Sequence, residues 1–365
     1  MDQTCNAPSV PSGHPPPRIW VLTGRKAGDN HQLLALAETL GWPCEVREIR
    51  NRPWELLTNL LAGTRLWGVD RRRSSPLVAP WPELVLSAGR RNEPVARWIQ
   101  RQSGGRARLV HIGRPWAPPA TFDLIVTTPQ YFLPAADNVL CNRLPLHPVD
   151  PARARAAAAQ LEPELAGLSR PRTLVLLGGD SGPFVFTAEK ARRLARLVDE
   201  LVAGEGGAVL ATDSRRTPAA ASAAFREALQ APCRFFVWGD PGPSRYRALL
   251  GAADRLVLTA ESMSMLAEAL AMEKPLHLFG LQDAGPWWRL PHSWHPKPLS
   301  HRLLMAVGPR RMRRDVTRML ELVVAEGRAQ WLGASPPPAR EPAPPVEPGD
   351  DLKRAAQRVR ALFGQ

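Results

Sequence analysis

The feature that most constrains this fold is a repeated alternation of short apolar runs with helical stretches. Runs such as Ile19–Thr23 and Arg108–Ile112 are rich in Val, Ile and Leu and lack polar alternation. Continuous runs of this kind are typical of strands buried on both faces of a parallel sheet. Each run is followed by a turn and then by a stretch of helical periodicity. The pattern therefore predicts an α/β protein with doubly wound sheets.

The alternation occurs twice, with a proline-containing interruption between the two halves. Two Rossmann-like domains are therefore expected, which also agrees with a length of 365 residues. The predicted organisation is, in chain order, a disordered leader at 1–17, an N-terminal domain at 18–150, a linker at 151–171, a C-terminal domain at 172–332, a proline-rich linker at 333–349 and a terminal amphipathic helix at 350–365.

Composition excludes several classes of protein. An apolar fraction of 44% is too high for a wholly disordered chain. No stretch is apolar for long enough to span a membrane, and the leader has no apolar block typical of a secretion signal. The cysteines are scattered, so we expect no disulfide framework, no zinc site and a reducing, cytoplasmic setting. The dispersed histidines give no sign of a metal, and we expect no cofactor.

The formal net charge of +14 raises the question of an anionic partner. The basic residues are mostly arginine and are spread along the chain, whereas a duplex binder concentrates charge on one face. We therefore expect no nucleic-acid binding. The excess favours phosphates, nucleotides or an acidic membrane surface. The arginines of 310–314 suggest peripheral attachment at the inner face of a membrane, and the alternative is a solvated basic surface.

The turn after the first predicted strand is the first candidate site. It lies where open α/β sheets bind ligands, beside helix-start N–H groups that attract anions. A second turn, after residues 83–87, is a weaker signal of the same kind. The alternative is an ordinary turn in which Asp29 caps the helix. The candidate residues in the two turns are Gly24, Lys26, Gly28, Asp29, Asn30, Gly89 and Arg90.

In the second half, three strand ends carry glycine, hydroxyl and arginine residues suited to a phosphate or diphosphate. A carboxylate further along the last helix, at Glu268, is placed to accept hydrogen bonds from two sugar hydroxyls. The alternatives are ordinary turns, a capped helix with solvated arginines and, for Glu268, a solvated helix residue. The candidate residues are Gly178, Gly179, Ser181, Ser214, Arg215, Arg216, Ser262, Met263, Ser264, Met265 and Glu268. A Trp- and His-rich loop at 285–297 forms either an aromatic lip or a packed lid.

Five of these stretches together resemble a known family. They are TGRKAGDNHQ, SAGRR, GGDSGPF, SRRTP and TAESMSMLAEAL, in that order. They resemble bacterial relatives of the plant mitochondrial-fission factor named for elongated mitochondria. That family is similar in turn to GT-B glycosyltransferases of the MurG type. The resemblance implies two Rossmann-like domains facing across a cleft.

The resemblance also implies roles for individual residues. In MurG-type enzymes the second domain binds the nucleotide-sugar and the first binds the acceptor. Gly178, Gly179 and Ser181 fall on the phosphate loop of that family, although Asp180 is inserted in it. Ser262 to Leu266 fall on the helix start facing the diphosphate, and Glu268 falls on the glutamate that holds the ribose. Asp29 lies near the position of the usual base, although the Gly-Gly-His ending is missing.

Two hypotheses about function follow. The first is a metal-independent glycosyltransferase that uses a nucleoside diphosphate sugar, with UDP as the guessed nucleotide and a lipid-linked molecule as a candidate acceptor. The arginine pair at 215–216 would then neutralise the leaving diphosphate. The second is a non-catalytic scaffold that retains the cleft and acts in envelope or membrane organisation.

Overall fold

The computed structural model describes residues 15–52, 64–240, 245–281, 313–334 and 350–365, with Thr4–Cys5 and positions 303 and 306–309. The aromatic loop expected at 285–297 lies outside the described residues, as do residues 6–14 of the leader and 335–349 of the linker. The described residues fall into two compact units. The first is drawn from Met1–Pro148, Pro309–Arg314 and Gly349–Gln365, and the second from Val149–Gly308 and Asp315–Pro348.

The first unit is built on a seven-stranded sheet of order β1-β3-β2-β4-β5-β6-β7. All neighbouring strands are parallel except the β1–β3 pair. Its strands are β1 Thr4–Cys5, β2 Ile19–Thr23, β3 Cys44–Glu48, β4 Leu84–Ala88, β5 Arg108–Ile112, β6 Leu124–Thr127 and β7 Val139–Cys141, and its helices are α1 Ala27–Leu40, α2 Gly89–Gln102 and the last helix of the chain, Asp350–Ala361.

The strand order of the first sheet reverses direction between β2 and β4. The chain places β3 on one side of β2 and then β4 on the other side. The loops that follow the carboxyl ends of β2 and β4 therefore diverge. Such a switch point opens a crevice at the carboxyl edge of the sheet. The turns at Gly24 and Gly89 lie at this edge.

Both faces of the first sheet are covered, which explains its unbroken apolar strands. On β2, Ile19 and Val21 pack in one buried cluster and Trp20 and Leu22 in the other. His111 is fully buried on β5, where its Nδ1 lies 2.9 Å from the Ser87 hydroxyl. Its Nε2 is also buried and has no hydrogen-bond partner among the described residues. Burial lowers the pKa of His111 to about 3, so this imidazole is neutral in the folded protein.

The last helix completes the first unit. Ala355, Ala356 and Val359 are buried in the same cluster as Ile19, on the α1 face of the sheet. The Asp351 carboxylate accepts a 2.9 Å hydrogen bond from the Leu144 N–H. The predicted terminal amphipathic helix is therefore present as Asp350–Ala361, and its apolar side is part of the first core.

The edge strand β1 departs from the sequence expectation. It pairs antiparallel with β3, and Cys5 and Cys44 are Cα partners in that pair. Cys44 is disulfide-bonded, whereas Cys141 and Cys233 are free. The prediction of a leader without structure is wrong at Thr4–Cys5, and the expectation of reduced cysteines is wrong at Cys44. A contact across a sheet edge leaves no local signal in the sequence, and the predicted cytoplasmic setting stays a prediction.

The second unit is built on an all-parallel sheet of six strands in the order β10-β9-β8-β11-β12-β13. Its strands are β8 Arg172–Leu176, β9 Ala208–Thr212, β10 Cys233–Phe236, β11 Arg255–Thr259, β12 Leu276–Phe279 and β13 Gln330–Trp331, and its helices are α3 Pro151–Leu161, α4 Ala188–Ala203, α5 Ala219–Ala228, α6 Tyr246–Ala252, α7 Met263–Ala271 and α8 Thr317–Ala325. The last helix of the chain is α9.

This second strand order is that of the Rossmann fold, with its switch point between β8 and β11. The register is continuous across the centre of the sheet, since Leu174 pairs with Leu210 of β9 on one side and with Leu256 of β11 on the other. The carboxyl ends of β8, β9 and β11 therefore lie side by side. These are the strand ends from which the sequence predicted a diphosphate site.

Helices α4 and α5 cover one face of the second sheet through a cluster that includes Val175, Leu194 and Phe225. The helix in the segment expected as a linker, α3, packs against α6. Gly251 allows this close approach, since a Cβ on it would lie 2.1 Å from the Ala154 carbonyl oxygen. The expected α/β class with two doubly wound sheets is confirmed. None of the helices in the described part of the chain is both long and apolar enough to cross a membrane.

Candidate functional site

The crevice of the first unit is closed by neutral amide side chains. Asn30 bonds the Gly24 backbone twice, accepting from its N–H at 2.9 Å and donating to its carbonyl at 2.8 Å. Asn92 is buried on α2 and donates to the Leu22 carbonyl at 2.8 Å. These contacts fix the loop after β2 against the start of α2, so the predicted residues Gly24 and Asn30 are structural partners.

Asp29 lies between the two first-unit loops. Its Oδ2 is 3.6 Å from the Lys26 Nζ, and its side chain is 29% exposed. Gly89, at a φ of +68°, brings its backbone close to this carboxylate, since a Cβ there would lie 2.9 Å from Asp29 Oδ2. Gly28, expected in the turn, lies in the first turn of α1, and its carbonyl accepts from the Gln32 side chain of the same helix. The structure thus brings three of the candidate residues of these two loops together, namely Lys26, Asp29 and Gly89.

The Arg90 guanidinium, at the start of α2, contacts an aromatic ring. It lies 5.2 Å from the Trp116 ring centroid, within the range of a cation–π contact. The loop that carries Trp116 is held by the buried Glu93 carboxylate, which accepts from the N–H groups of Trp116 and Ala117 at 2.7 and 2.8 Å. Arg90 is therefore held against the loop after β5.

In the second unit, the glycine pair after β8 packs tightly against neighbouring loops. The Gly178 N–H donates to Thr259 Oγ1 at 2.8 Å, and the Gly179 N–H donates to Glu261 Oε1 at 2.9 Å. A Cβ on Gly178 would lie 2.0 Å from Glu261 Oε1, and one on Gly179 would lie 2.0 Å from the Arg216 carbonyl oxygen. Both glycines are required by these contacts, and both amides have partners within the protein.

Glu261 is the central charged residue of the second crevice, although sequence reasoning did not select it. It is 1% exposed, and its Oε1 also lies 3.3 Å from the Arg216 Nη2. Burial raises the pKa of this carboxyl, against the opposing effects of Arg216 and of the Gly179 hydrogen bond. One buried carboxylate therefore joins the loops after β8, β9 and β11.

The loop after β9 holds the predicted residues Ser214, Arg215 and Arg216 in a closed turn. The Thr217 hydroxyl accepts from the Ser214 N–H at 2.8 Å and donates to the Leu177 carbonyl at 2.9 Å. Arg216 keeps 38% of its side chain exposed while it contacts Glu261. Its guanidinium therefore reaches from the buried carboxylate to solvent, where it can bind an anion. Ser181 belongs to the loop after β8, two residues beyond Gly179, and pairs with Phe184 in an isolated β-bridge.

Helix α7 begins at Met263, two residues after Glu261. Ser262 is its buried N-cap residue and makes no side-chain cap bond. The first-turn N–H groups, at Met263, Ser264 and Met265, have no partners within a helix and attract anions. Met263 is buried, and Ser264 and Met265 are half-buried.

Glu268 lies further along α7 and faces a phenol. Its Oε2 accepts a 2.7 Å hydrogen bond from the Tyr246 hydroxyl of α6. Burial raises the pKa of Glu268 to about 6, against the opposing effect of that hydrogen bond, and the pKa of Tyr246 is raised as well. Glu268 is 7% exposed, which excludes the alternative of a solvated helix residue, and its contact with sugar hydroxyls stays a prediction.

Four residues that position the crevices were missed from sequence, namely Asn92, Thr217, Tyr246 and Glu261. Their contacts join elements distant in the chain, so periodicity cannot reveal them. For Glu261 the sequence carried one signal. This residue lies between the end of an apolar strand and the start of a helix, which is where the sequence already predicted a diphosphate site. No group of three or more His, Cys, Asp or Glu that could hold a metal occurs among the residues with described structure.

The two sheets and their switch-point loops define a protein of two Rossmann-like units, each with polar loops at the carboxyl edge. Comparison with known sequences then identifies the family. The sequence model of the mitochondrial fission ELM1 family matches residues 27–295, and the chain belongs to that family. The resemblance inferred from the five sequence stretches is confirmed.

Two curated relatives show how far this similarity extends. Mitochondrial fission protein ELM1 of Arabidopsis thaliana is 26% identical over 221 residues, which is 54% of this chain and 52% of the plant protein. The chain thus spans about half the length of that relative. An uncharacterized protein of Rickettsia prowazekii is 23% identical over 299 residues, covering 72% of this chain and 82% of the relative.

Among solved structures, the chain is similar to MurG of Acinetobacter baumannii. The similarity covers 94% of this chain and 100% of that one, at 13% sequence identity and a TM-score of 0.43.

Proposed function

We propose that the second unit binds a nucleoside diphosphate sugar at the switch point between β8 and β11. One observation carries the proposal: the loops after β8, β9 and β11 meet there and present the Arg216 guanidinium beside the start of α7. A guanidinium and unpaired helix-start N–H groups are the donors that a diphosphate requires. Glu268, on the same helix, is the candidate partner of the ribose hydroxyls.

The reaction we propose is transfer of the sugar to an acceptor, with Arg216 stabilising the leaving diphosphate, where negative charge develops. The neighbouring Arg215 adds a second positive charge. Asp29 of the first unit is the proposed base or orienting group for the acceptor hydroxyl. Its carboxylate is partly exposed and paired with Lys26, which fits orientation of a hydroxyl better than strong base catalysis.

An anionic membrane surface and a lipid-linked acceptor belong to the proposal as well. Of the arginines in 310–314, the structure gives Arg314 a role within the first unit, where its Nε donates to Gln130 Oε1 at 2.8 Å. That contact orients the Arg314 guanidinium and leaves its charge in place, since Gln130 is neutral. Binding to vesicles of anionic lipid tests this part of the proposal.

Calorimetry tests the donor site directly. UDP and UDP-N-acetylglucosamine should bind the wild-type protein, and Arg216→Ala should weaken the affinity roughly 10- to 100-fold, since a hydrogen bond to a charged group contributes about 1.5–3 kcal/mol. Arg226→Ala, in the last turn of α5 against Phe235, is the matched arginine control and should leave the affinity unchanged, because α5 ends at the amino edge of the sheet. Absence of binding at millimolar nucleotide would contradict the proposal.

The second candidate is a scaffold that binds the nucleotide-sugar without turnover. The observation in its favour is that the Gly178 and Gly179 amides, which the phosphate loop of a transferase would use, already have partners in Thr259 and Glu261. Sugar release from the donor separates the two candidates. Release that Asp29→Ala abolishes while donor binding persists supports the enzyme, and binding without any release supports the scaffold.

A further inference from the structure

Glu261 occupies the two donors that an anionic ligand of this crevice would need most. Its Oε1 accepts from the Gly179 N–H and lies 3.3 Å from the Arg216 guanidinium. A phosphate oxygen is bound in proteins by the same combination of a loop N–H and an arginine. The Glu261 carboxylate therefore occupies the position in which an anion from solution would otherwise bind.

The ionised form of Glu261 is poorly satisfied at its second oxygen. Oε2 is buried and has no hydrogen-bond partner among the described residues. Glu261 also lines a small cavity with room for about one water molecule, whose other walls include Phe184, Leu281 and Trp331. An ionised carboxylate with one unpaired oxygen in an apolar setting is costly, so loss of its partner Arg216 would favour the protonated form.

The charged groups around Glu261 come from several elements. From the loop after β8 there is Asp180, whose carboxylate accepts from the Phe186 N–H and whose carbonyl accepts from Arg216. From α4 there is Lys190, whose ammonium donates to the carbonyls of Val185 and Leu281. From α7 there is Glu268, which bonds Tyr246. Among the described residues, the charged side chain in contact with the Glu261 carboxylate is the Arg216 guanidinium.

We propose that Glu261 sets the diphosphate affinity of this crevice by holding Arg216 and the Gly179 N–H in the empty site, and that the ligand binds with Glu261 protonated. The inference rests on the proposed donor site. The proton comes from solvent and goes onto the carboxylate as the diphosphate takes over Arg216. No covalent bond forms or breaks in the ligand.

The direction of the pH effect follows from linkage. A ligand that favours the protonated carboxyl binds more tightly when that carboxyl is already protonated, and the two effects are equal. Affinity should therefore rise as pH falls. If the ligand raises the pKa of Glu261 by about one unit, the affinity gain is about tenfold.

Calorimetry with UDP-N-acetylglucosamine tests the inference, because each of its two phosphates has a single, strongly acidic ionisable oxygen that does not titrate near neutral pH. Binding to the wild type should take up a proton, measured as a dependence of the heat on the ionisation enthalpy of the buffer. In Glu261→Gln the uptake should be lost, and the affinity at pH 7.5 should be about tenfold higher than that of the wild type. Glu268 titrates alike in both proteins, so the difference between them reports Glu261.

Glu162→Gln is the matched control, because Glu162 is also a carboxylate paired with a buried arginine, Arg172, but this pair lies at the opposite end of β8. It should bind the sugar nucleotide like the wild type. Glu261→Ala is the second variant, in case the glutamine side chain disturbs the Gly178 contact, and it should also bind more tightly. In an Arg216→Ala background the Glu261→Gln gain should largely disappear.

Unchanged or weaker binding to both Glu261 variants, with normal binding to the wild type, would overturn the inference and leave the donor site intact. Equal proton uptake by wild type and Glu261→Gln would overturn it as well. If neither the wild type nor any variant binds the sugar nucleotide, the proposed donor site fails and the inference fails with it.

Discussion

The two units place the same kind of loops at the same edge of a parallel sheet, yet they hold those loops by different chemistry. In the first unit the loop after β2 is fixed by the neutral amides of Asn30 and Asn92. In the second unit the loops after β8, β9 and β11 are fixed by the buried Glu261 carboxylate and the Arg216 guanidinium. A shared topology therefore does not imply a shared affinity for anions.

The glycines at the two switch points differ in the same way. A Cβ on Gly24 would lie 3.2 Å from the Asn92 side chain, a contact that a small shift relieves. A Cβ on Gly179 would overlap the backbone of the next loop. A glycine-rich turn in a Rossmann-like sequence can thus reflect packing between loops as well as room for a phosphate.

The largest expected difference between the units is in their response to acid. Because the folded pKa of His111 is about 3 and its ordinary value is 6.5, the unfolded chain binds more protons between these limits. The free energy of unfolding should therefore fall as pH drops below 6.5, by about 5 kcal/mol at pH 3. Urea unfolding followed by tryptophan fluorescence measures it. In His111→Gln this part of the pH dependence should be absent, and a variant curve parallel to that of the wild type would contradict the assignment.

The glycine contrast gives the next largest effect. Gly179→Ala should destabilise the second unit by about 3 kcal/mol, because its Cβ meets backbone atoms that cannot move independently. Gly24→Ala should cost less than about 1 kcal/mol, since a side chain can yield and alanine reduces the entropy of the unfolded chain. Native-state hydrogen exchange, resolved by mass spectrometry, measures both units separately. Equal decreases in the free energy of unfolding for Gly179→Ala and Gly24→Ala would contradict the proposed difference between the two turns.

Glu268 should give a smaller pH effect of the opposite sign. Its folded pKa of about 6 lies above the ordinary value of 4.5, so the folded protein binds more protons between them. The free energy of unfolding should fall by about 2 kcal/mol as pH rises from 4.5 through 6, and this contribution should be missing in Glu268→Gln. The measurement is the difference in the free energy of unfolding between the wild type and Glu268→Gln over that pH range. A difference that stays constant with pH would show that Glu268 keeps an ordinary pKa.

The smallest effect concerns the neutral contacts of the first crevice. Asn30→Ala removes two partly exposed hydrogen bonds to Gly24 and should destabilise the first unit by about 1 kcal/mol. Hydrogen exchange in Ile19–Thr23 and α1 reports this loss. Asn51→Ala, in an isolated bridge of the same unit, serves as the control and should leave exchange in those segments unaltered.

The fold could be predicted because its main signal is local. Runs such as Leu84–Ala88 and Ala208–Thr212 are apolar on both faces, and the turns after them end at the same edge of a sheet. The two-residue strands at Thr4–Cys5 and Gln330–Trp331 were missed, since so short a strand has no periodicity of its own. Their pairing depends on the neighbouring strand.

The candidate site could be predicted in part for the same reason. Strand ends indicated where Asp29, Gly178 and Arg216 would lie, and the structure places each of them at a carboxyl edge. The partners of these residues, such as Glu261 and Tyr246, come from other elements and carry no signature of their own. Whether a glycine amide is open to a ligand or bonded within the protein depends on such partners.

The position of α9 in the first core has a consequence for biosynthesis. The cluster around Ile19 and Val21 is completed by Ala355, Ala356 and Val359, from the opposite end of the chain. A nascent chain cannot bury that surface until Val359 has been synthesised and has left the ribosome. The first unit, although its synthesis starts first, is therefore completed only after the second unit has been synthesised, and until then it exposes an apolar surface that chaperones bind.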